Sequence, residues 1–310
     1  MPRVATVDVG TNTALLLVAD VADGRMTPVY EEDRYVRLGQ GVDAERRLAP
    51  EAVERVLTAL RAYKHKADEL GAAAFVIGAT SASRDARNLG ELASRVRAEI
   101  GVEYELLSGE DEALWSFRGA CSAYPDLGAA CVLDIGGGST EIVAGPTDPS
   151  TGSGQAGEPE CASVNVGSVR LTERCFPSLP PSAAMIADAE RTVAEAFGGL
   201  RLDASPPLLG ASGTTSALGR LANPIVPDAP ISAATVRAWR DRLLGLSAAE
   251  VLAHAPAVLA GRADVYAAGV LILDLFMEHF GFASLRPSPR GLRHGLALRW
   301  MAAPTGRADA

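Results

Sequence analysis

The chain is predicted to be an α/β protein made by duplication, with two strand-and-helix domains and a cleft between them. Three observations predict this. Residues 4–19 read as a strand ending in Asp8, a short turn Gly10-Thr11-Asn12-Thr13, and a second apolar strand. Residues 131–143 repeat the pattern, with a strand ending in Asp134, the turn Gly136-Gly137-Gly138-Ser139, and β-type residues resuming at Thr140-Glu141. Finally, 310 residues is long for one domain and comfortable for two.

Neither turn is a nucleotide fingerprint of the usual kinds. A dinucleotide-binding turn would open a helix, and a P-loop would continue as Gly-Lys-Ser/Thr. Here a strand follows each turn. Glycines without a Cβ let backbone N–H groups converge into a nest that suits phosphate oxygens. Asp134 and Glu141 flank the second turn, and beside a phosphate such carboxylates are welcome only with a bridging cation. The residues therefore point to phosphate plus Mg²⁺, gripped from both sides of a cleft. The plainer alternative, loops that merely turn hairpins, fits less well because hairpins generally favour Asn-Gly or Asp-Gly.

The composition narrows the class. With 48% hydrophobic and 22% charged residues, the chain has the make-up of a soluble globular protein. Its longest apolar stretch, 267–276, is interrupted by Asp274 and falls short of the roughly 20 residues a membrane span needs. The first residues lead into a strand without a signal-peptide profile, which predicts a cytoplasmic protein. Cys121, Cys131, Cys161 and Cys175 form no CxxC pair and have no neighbouring His, as expected for reduced thiols. A formal net charge of −9 argues against non-specific nucleic-acid binding. A polyanionic substrate would need a local basic lining, and since Lys64 and Lys66 are the only lysines, arginine forks must provide it.

Taken in order, residues 26–38 continue the first sheet and 39–48 read as loop. Pro50 starts a helix whose face carries Val53, Leu57, Leu60, Ala67 and Leu70, stopped by Gly71. After a buried strand at 74–77, Ser81 or Ser83 is expected to cap a helix running to about Glu99. Arg84 lies in its first turns, where a cation opposes the helix dipole, so anion binding competes with a solvated surface role. A strand at 102–107 leads to Ser108, read as N-cap of a helix over 110–124 with Asp111 completing a capping box. Glu110, Asp111 and Glu112 are all explicable as favourable charges at a helix start.

Pro125 marks the domain boundary, giving domains 1–125 and 126–296, with a C-terminal helix over about 297–310 expected to pack back on the first. Residues 146–160, rich in Pro, Gly, Ser and Thr, read as a mobile surface loop. A strand then turns at Gly167 into a helix, and Pro180-Pro181-Ser182 starts another, to about Phe197. A third strand, 207–209, ends in Gly210-Ala211-Ser212-Gly213-Thr214, which continues as a helix. A Gly/Ser/Thr-rich helix start can bind anions through free N–H groups, although capped helix starts are common. Helices are expected over 233–244, 248–253 and 263–280, a last strand over 281–286, and a final turn and helix from Gly291.

Read together, the motifs resemble, in order and over essentially the whole chain, the exopolyphosphatase/guanosine-pentaphosphate phosphohydrolase family. They are Asp8 to Thr13, Ala79-Thr80-Ser81 with Arg84, Ser108-Gly109 with Glu112-Ala113, Asp134 to Glu141, Gly167 with Arg170 to Glu173, Ser212-Gly213-Thr214, Arg262-Ala263-Asp264 and Gly291-Leu292-Arg293. The chain looks like a short form of the family, without additional C-terminal domains. The resemblance implies two duplicated actin-like (ribonuclease-H-like) domains with an interdomain cleft. It also implies processive release of orthophosphate from polyphosphate, with Mg²⁺, and a homodimer. Thr11 and Thr13 stand where serines are commoner, which keeps the hydroxyls.

Carried over by motif, Glu112 matches the family's catalytic base, Arg84 its phosphate-binding arginine, and Asp134 and Glu141 its acidic pair at the metal and attacking water. The expected phosphate-binding set is Gly10, Thr11, Asn12, Thr13, Gly136, Gly137, Gly138, Ser139, Thr140, Ser212, Gly213 and Thr214. Mg²⁺ is expected near Asp8, Asp134 and Glu141. Arg170, Arg262 and Arg293 are left between substrate channel and ion pairs, and His294, where an acid is frequent, has no role. Three functions compete with polyphosphate hydrolysis. They are removal of the terminal phosphate of guanosine pentaphosphate, a phosphotransferase on the same fold, and a non-catalytic polyphosphate or alarmone binder.

Overall fold

The computed structural model describes residues 1–147, 159–202 and 204–302; most of the expected loop over 146–160 lies outside them. The first lobe opens with an antiparallel meander, β1 (Arg3–Val9), β2 (Thr13–Ala22) and β3 (Arg25–Tyr35), followed by the short α1 (Val42–Glu45). Next come α2 (Pro50–Glu69), β4 (Ala74–Ala79), α3 (Ser81–Asp85), α4 (Leu89–Ile100), β5 (Tyr104–Leu106) and α5 (Gly109–Cys121). The second half repeats the meander as β6 (Ala129–Ile135), β7 (Thr140–Pro146) and β8 (Glu160–Val164). It continues with α6 (Ser168–Cys175), α7 (Ala183–Phe197), β9 (Leu208–Gly210), α8 (Gly213–Ala222), β10 (Ile231–Ser232), α9 (Ala233–Leu244) and α10 (Ala248–His254). Last are α11 (Pro256–Leu259), α12 (Tyr266–Phe280), β11 (Ser284–Pro287) and α13 (Leu292–Ala302).

Strand order shows the duplication directly. The first sheet runs β3-β2-β1-β4-β5 and the second β8-β7-β6-β9-β11, with β10 added at the far edge. In both, the first three strands are antiparallel and the fourth lies parallel to the first. Each lobe has its own apolar core. In the first, α2 lays Val53, Leu57, Leu60 and Ala67 on the sheet, and Tyr63 at its centre donates its buried hydroxyl to the carbonyl of Ala14 at 2.9 Å. In the second, α12 is apolar nearly all round and buried from Tyr266 to Asp274, reaching solvent only in its last turn at Glu278 and His279.

One expected helix is two. Instead of a single helix capped at Ser81 or Ser83, α3 stops at Asp85, and α4 starts after an extended Ala86. The backbone freed at the break is satisfied by the segment before α2. Arg87 N–H reaches the carbonyl of Arg46 at 2.9 Å, and the Asn88 side chain bonds both N–H and C=O of Leu48, at 2.8 and 3.2 Å. Arg84 thus sits in the last turn of a short helix, where a cation suits the dipole.

Two helices cross between the lobes. Although α5 follows the first sheet in sequence, its apolar face, Ala113, Phe117 and Ala120, packs on Ala130, Val132 and Val143 of the second. In return α13 packs Ala297 against Val4, Leu17 and Val21 of the first sheet. The two helices meet with almost no space between them. A Cβ on Gly119 would lie 2.1 Å from the Gly291 carbonyl oxygen, and one on Gly295 would lie 1.8 Å from that of Trp115. On an open helix, Gly→Ala gains about 1 kcal/mol. At this crossing, Gly119→Ala and Gly295→Ala are expected to lose about 1–3 kcal/mol or more through overpacking. Calorimetric unfolding of each variant checks this, and an unchanged or higher midpoint would contradict the crossing.

Candidate active site

Both hairpin turns close alike. Gly10 N–H bonds the Thr13 carbonyl at 3.0 Å, and Gly136 N–H bonds that of Ser139 at 2.9 Å. The two turns lie against each other across the lobes. A Cβ on Gly137 would come within 2.8 Å of Thr11 Cβ, and one on Gly138 within 2.5 Å of Ser81 Oγ. None of Gly10, Gly136, Gly137 and Gly138 has a positive φ. No left-handed backbone therefore calls for glycine in these turns: at Gly137 and Gly138 a side chain would run into Thr11 and Ser81 of the opposite lobe, and at Gly10 and Gly136 it would crowd the carbonyl that closes its own hairpin. Gly167, against the Gly137 carbonyl carbon at 2.6 Å from its own would-be Cβ, extends the same packing.

Four carboxylates gather behind the turns. Asp8 and Asp134 end equivalent strands, and Glu141 pairs directly across from Asp134 in the β6/β7 register. Like charges placed opposite each other in a sheet are destabilising. The fourth, Glu112, arrives on α5; it is buried, whereas its neighbours Glu110 and Asp111 are exposed. Ser108 does cap α5, accepting from Asp111 N–H at 3.0 Å. The second half of the expected box is absent, because the Ser108 hydroxyl donates to the Asp111 carboxylate at 2.7 Å.

Arg84 reaches into this group from α3. Its Nη1 donates to Glu112 Oε2 at 2.5 Å and to the Leu107 carbonyl at 3.2 Å, and its Nη2 donates to Ser139 Oγ at 3.4 Å and lies 3.9 Å from Glu141 Oε1. Ser116, one turn beyond Glu112 on α5, donates to Asp134, and Ser163 on β8 donates to Glu141 Oε1 at 2.9 Å. Composition gave no reason to single out either serine, although the spacing of Ser116 from Glu112 puts both on one helical face.

Burial dominates the electrostatics. It pushes the Glu112 carboxyl up to about 7, with Asp134 adding to the rise and the Arg84 guanidinium opposing it. Burial thus outweighs the preference of a helix start for the ionised form and brings this carboxyl to the neutral range. Glu141 is raised well above the usual carboxylate range by burial and then by Glu112 and Asp134. Asp8 is raised well above it by burial, Glu112 and Asp134. Burial raises Asp134 too, against the Ser116 hydrogen bond.

An interlobe cavity of about 390 Å³ leads to this centre. Asp8, Gly10 to Thr13, Asp134, Gly136 and Gly137 line it, and Ser212, Gly213 and Thr214 form part of the wall on the second lobe. Ser212 spends its hydroxyl capping α8 at Thr215 N–H, 3.2 Å away. Glu112, Arg84, Ser139, Thr140 and Glu141 stand behind the lining, and the Thr140 hydroxyl is spent on the Val166 carbonyl at 2.6 Å. Of the arginines left undecided, Arg262 lines the cleft, bonding Tyr35 Oη at 3.0 Å and the Gly213 carbonyl at 2.5 Å. Arg293 also lines it but is paired with Asp33 at 2.6 Å. Buried His294 accepts from Gly291 N–H at Nδ1 and faces Glu31 through Nε2 at 3.0 Å.

Two lobes of repeated β-meander, meeting at paired glycine turns over buried acids, define a phosphate-handling protein of the actin-like class. The chain belongs to the Ppx/GppA phosphatase family, whose model matches residues 17–303. It is 35% identical to Exopolyphosphatase 2 of Mycobacterium tuberculosis, with 96% of this chain and 98% of that protein covered. To Exopolyphosphatase 1 of Mycobacterium bovis it is 32% identical, with 96% and 88% covered. Among solved structures, an exopolyphosphatase-like protein superposes with a TM-score of 0.88 at 32% identity, covering 96% of this chain and 97% of that one. The Ppx/GppA family member of Aquifex aeolicus gives 0.78 at 27% identity, covering 96% and 97%.

The raised carboxylates have a consequence for stability. A carboxyl whose folded pKa lies above its unfolded value of about 4 stabilises the fold below that pH, and this contribution is lost as pH rises towards the folded value. Asp8 Oδ1 has no hydrogen-bond partner, so Asn in its place removes a buried charge without breaking a bond. Asp8→Asn is expected to raise the thermal midpoint at pH 8, in the presence of chelator, by more than it does at pH 5. Equal changes at the two pH values would mean that Asp8 is not a buried charge.

Proposed function

We propose that the protein is an exopolyphosphatase that releases terminal orthophosphate from inorganic polyphosphate by in-line attack of water. The observation that carries this is the Arg84–Glu112 pair. A buried carboxylate with its pKa near neutrality is held at the junction of two glycine turns by an arginine fork of the kind suited to clamp a phosphate. The names of the relatives agree with this reading.

Phosphoryl transfer needs little covalent help from the protein. It needs positioning, neutralised charge and an oriented water. Backbone N–H groups and hydroxyls of Gly10 to Thr13 and Gly136 to Ser139 would hold the terminal phosphate. Arg84, already bonded to Ser139, would swing its fork from Glu112 onto phosphate oxygens. Released from its cation, Glu112 becomes the stronger proton acceptor and takes the proton of the attacking water at Oε2. Ser116 and Ser163 keep Asp134 and Glu141 in place.

The site also fits Mg²⁺. Asp8 Oδ1 and Glu141 Oε2 are buried oxygens without a hydrogen-bond partner. Among the described residues no three acidic, His or Cys side chains are grouped so as to hold a metal ion, so water and substrate oxygens would have to complete its coordination. Asp8, Asp134 and Glu141 would hold it, partly through water, and when bound it neutralises charge on the transferring phosphoryl group. The same reading takes 1–125 and 126–296 as the domains, with the chain from 297 returned to the first, and expects a homodimer in the cytoplasm.

The test is orthophosphate release from short and long polyphosphate and from guanosine pentaphosphate, each with and without Mg²⁺. Faster release from the pentaphosphate than from any polyphosphate would transfer the assignment to the alarmone. ATP formation from ADP plus polyphosphate would move it to the phosphotransferases. Glu112→Gln is expected to keep fold and substrate binding while lowering turnover by about 10²- to 10⁴-fold; undiminished turnover removes Glu112 as the base. Chelation is expected to abolish release and added Mg²⁺ to restore it, so activity surviving exhaustive chelation would refute the metal assignment.

A further inference from the structure

Arg170 stands at the other face of the turns, away from the cleft. It is carried on α6 of the second lobe, its side chain is 6% exposed, and it lines no part of the large cavity. Every arm of its guanidinium is occupied. Nε donates to the Gly138 carbonyl at 2.6 Å, Nη1 donates to Asp43, and Nη2 donates to Asp85 and to Ser81 Oγ, the last at 3.4 Å. Asp43, Ser81 and Asp85 belong to the first lobe, and Gly138 to the second. Asp43 is further held by Arg174 at 2.6 and 2.7 Å, and Asp85 by Arg46 at 3.3 Å.

These contacts close a ring. Ser81 and Asp85 begin and end α3, the short helix that carries Arg84. Gly138 precedes Ser139, whose hydroxyl accepts from Arg84. One guanidinium therefore fixes both the helix that presents Arg84 and the turn that Arg84 must address. We propose that Arg170 is a positioning residue: its fork locks the two lobes in the register that aligns Arg84, Ser139 and Glu112 for hydrolysis. Only a planar five-donor group can serve a carbonyl and two carboxylates in this way, and a lysine ammonium keeps the charge without the fork. The assignment rests on the hydrolase reading above, but the clamp itself is a statement about the lobes and is measurable without turnover.

The test uses Arg170→Lys and Asp85→Asn, singly and together, with kinetics of phosphate release. It adds interlobe distance distributions from spin labels introduced at the exposed Glu91 and Asp188. Each single variant is expected to lower kcat by about 10- to 10²-fold, the penalty of misplacing reacting groups by about an ångström, with KM little changed. The double variant is expected to be no worse than the more damaged single, because both break one device. The interlobe distribution, narrow in the parent protein, should broaden in all three. An unchanged distribution, an unchanged kcat in folded protein, or a rise in KM alone would each overturn the clamp. Should the parent protein release no phosphate, the hydrolase reading fails, and the distance distributions still decide whether Arg170 holds the lobes.

Discussion

Removing four carboxylates from water at one point is the constraint on which this structure turns. Burial raises the proton affinity of Asp8, Glu112, Asp134 and Glu141, and neighbouring acids add to the rise at Asp8, Glu112 and Glu141. An apolar filling at the same place would stabilise the fold more. What stands against the repulsion is Arg84, bonded to Glu112 and close to Glu141, with the Ser116 and Ser163 hydroxyls steadying individual acids. Such an arrangement is tolerated where a ligand completes it, and a site short of positive charge is suited to a cation that arrives with a phosphate.

The fold delivers these acids from both halves of the sequence, and the crossing helices are how it does so. Were α5 to pack on the sheet it follows, Glu112 would be far from β6 and β7. Because it packs instead on Ala130, Val132 and Val143, its first turn lies beside Asp134 and Glu141. The exchange is reciprocated by α13, and Gly119 and Gly295 let the two helices touch backbone to backbone. Stability and chemistry thus share one structural device. The same contact that ties the lobes together brings Glu112 to Asp134 and Glu141.

Much of this was legible in the chain. The twin turns announced the duplication, because a strand ending in Asp followed by a glycine turn and another strand is an uncommon phrase to meet twice. Pro50, Gly71, Ser182 and Ser212 marked helix ends by cap chemistry that operates over three or four residues, whereas Gly281, expected to open the last strand, is the left-handed cap of α12. What was hidden depended on distant partners. The break after Asp85 follows from hydrogen bonds to Arg46 and Leu48, some 40 residues earlier. By charge and spacing the three acids at 110–112 look alike; the family motif singled out Glu112, and its burial between exposed neighbours agrees with that choice. Arg170 stood in a family motif with its role open between substrate channel and ion pairs, and only the placement of Asp43 and Asp85 beside it decides for the ion pairs.

The glycine turns themselves join the two halves of the argument. Read locally, they were expected to be nests for phosphate. In the folded chain they are also the surfaces through which the lobes touch, since Gly137 rests on Thr11 and Gly138 on Ser81. A phosphate bound by both turns would therefore bear on the interlobe contact as well as on its own oxygens. Arg84 spans the same junction and is held by Glu112. In the mechanism proposed above, drawing Arg84 towards the turns would remove the cation that opposes the rise in the Glu112 pKa, so the basicity of Glu112 would increase as a substrate oxygen arrives.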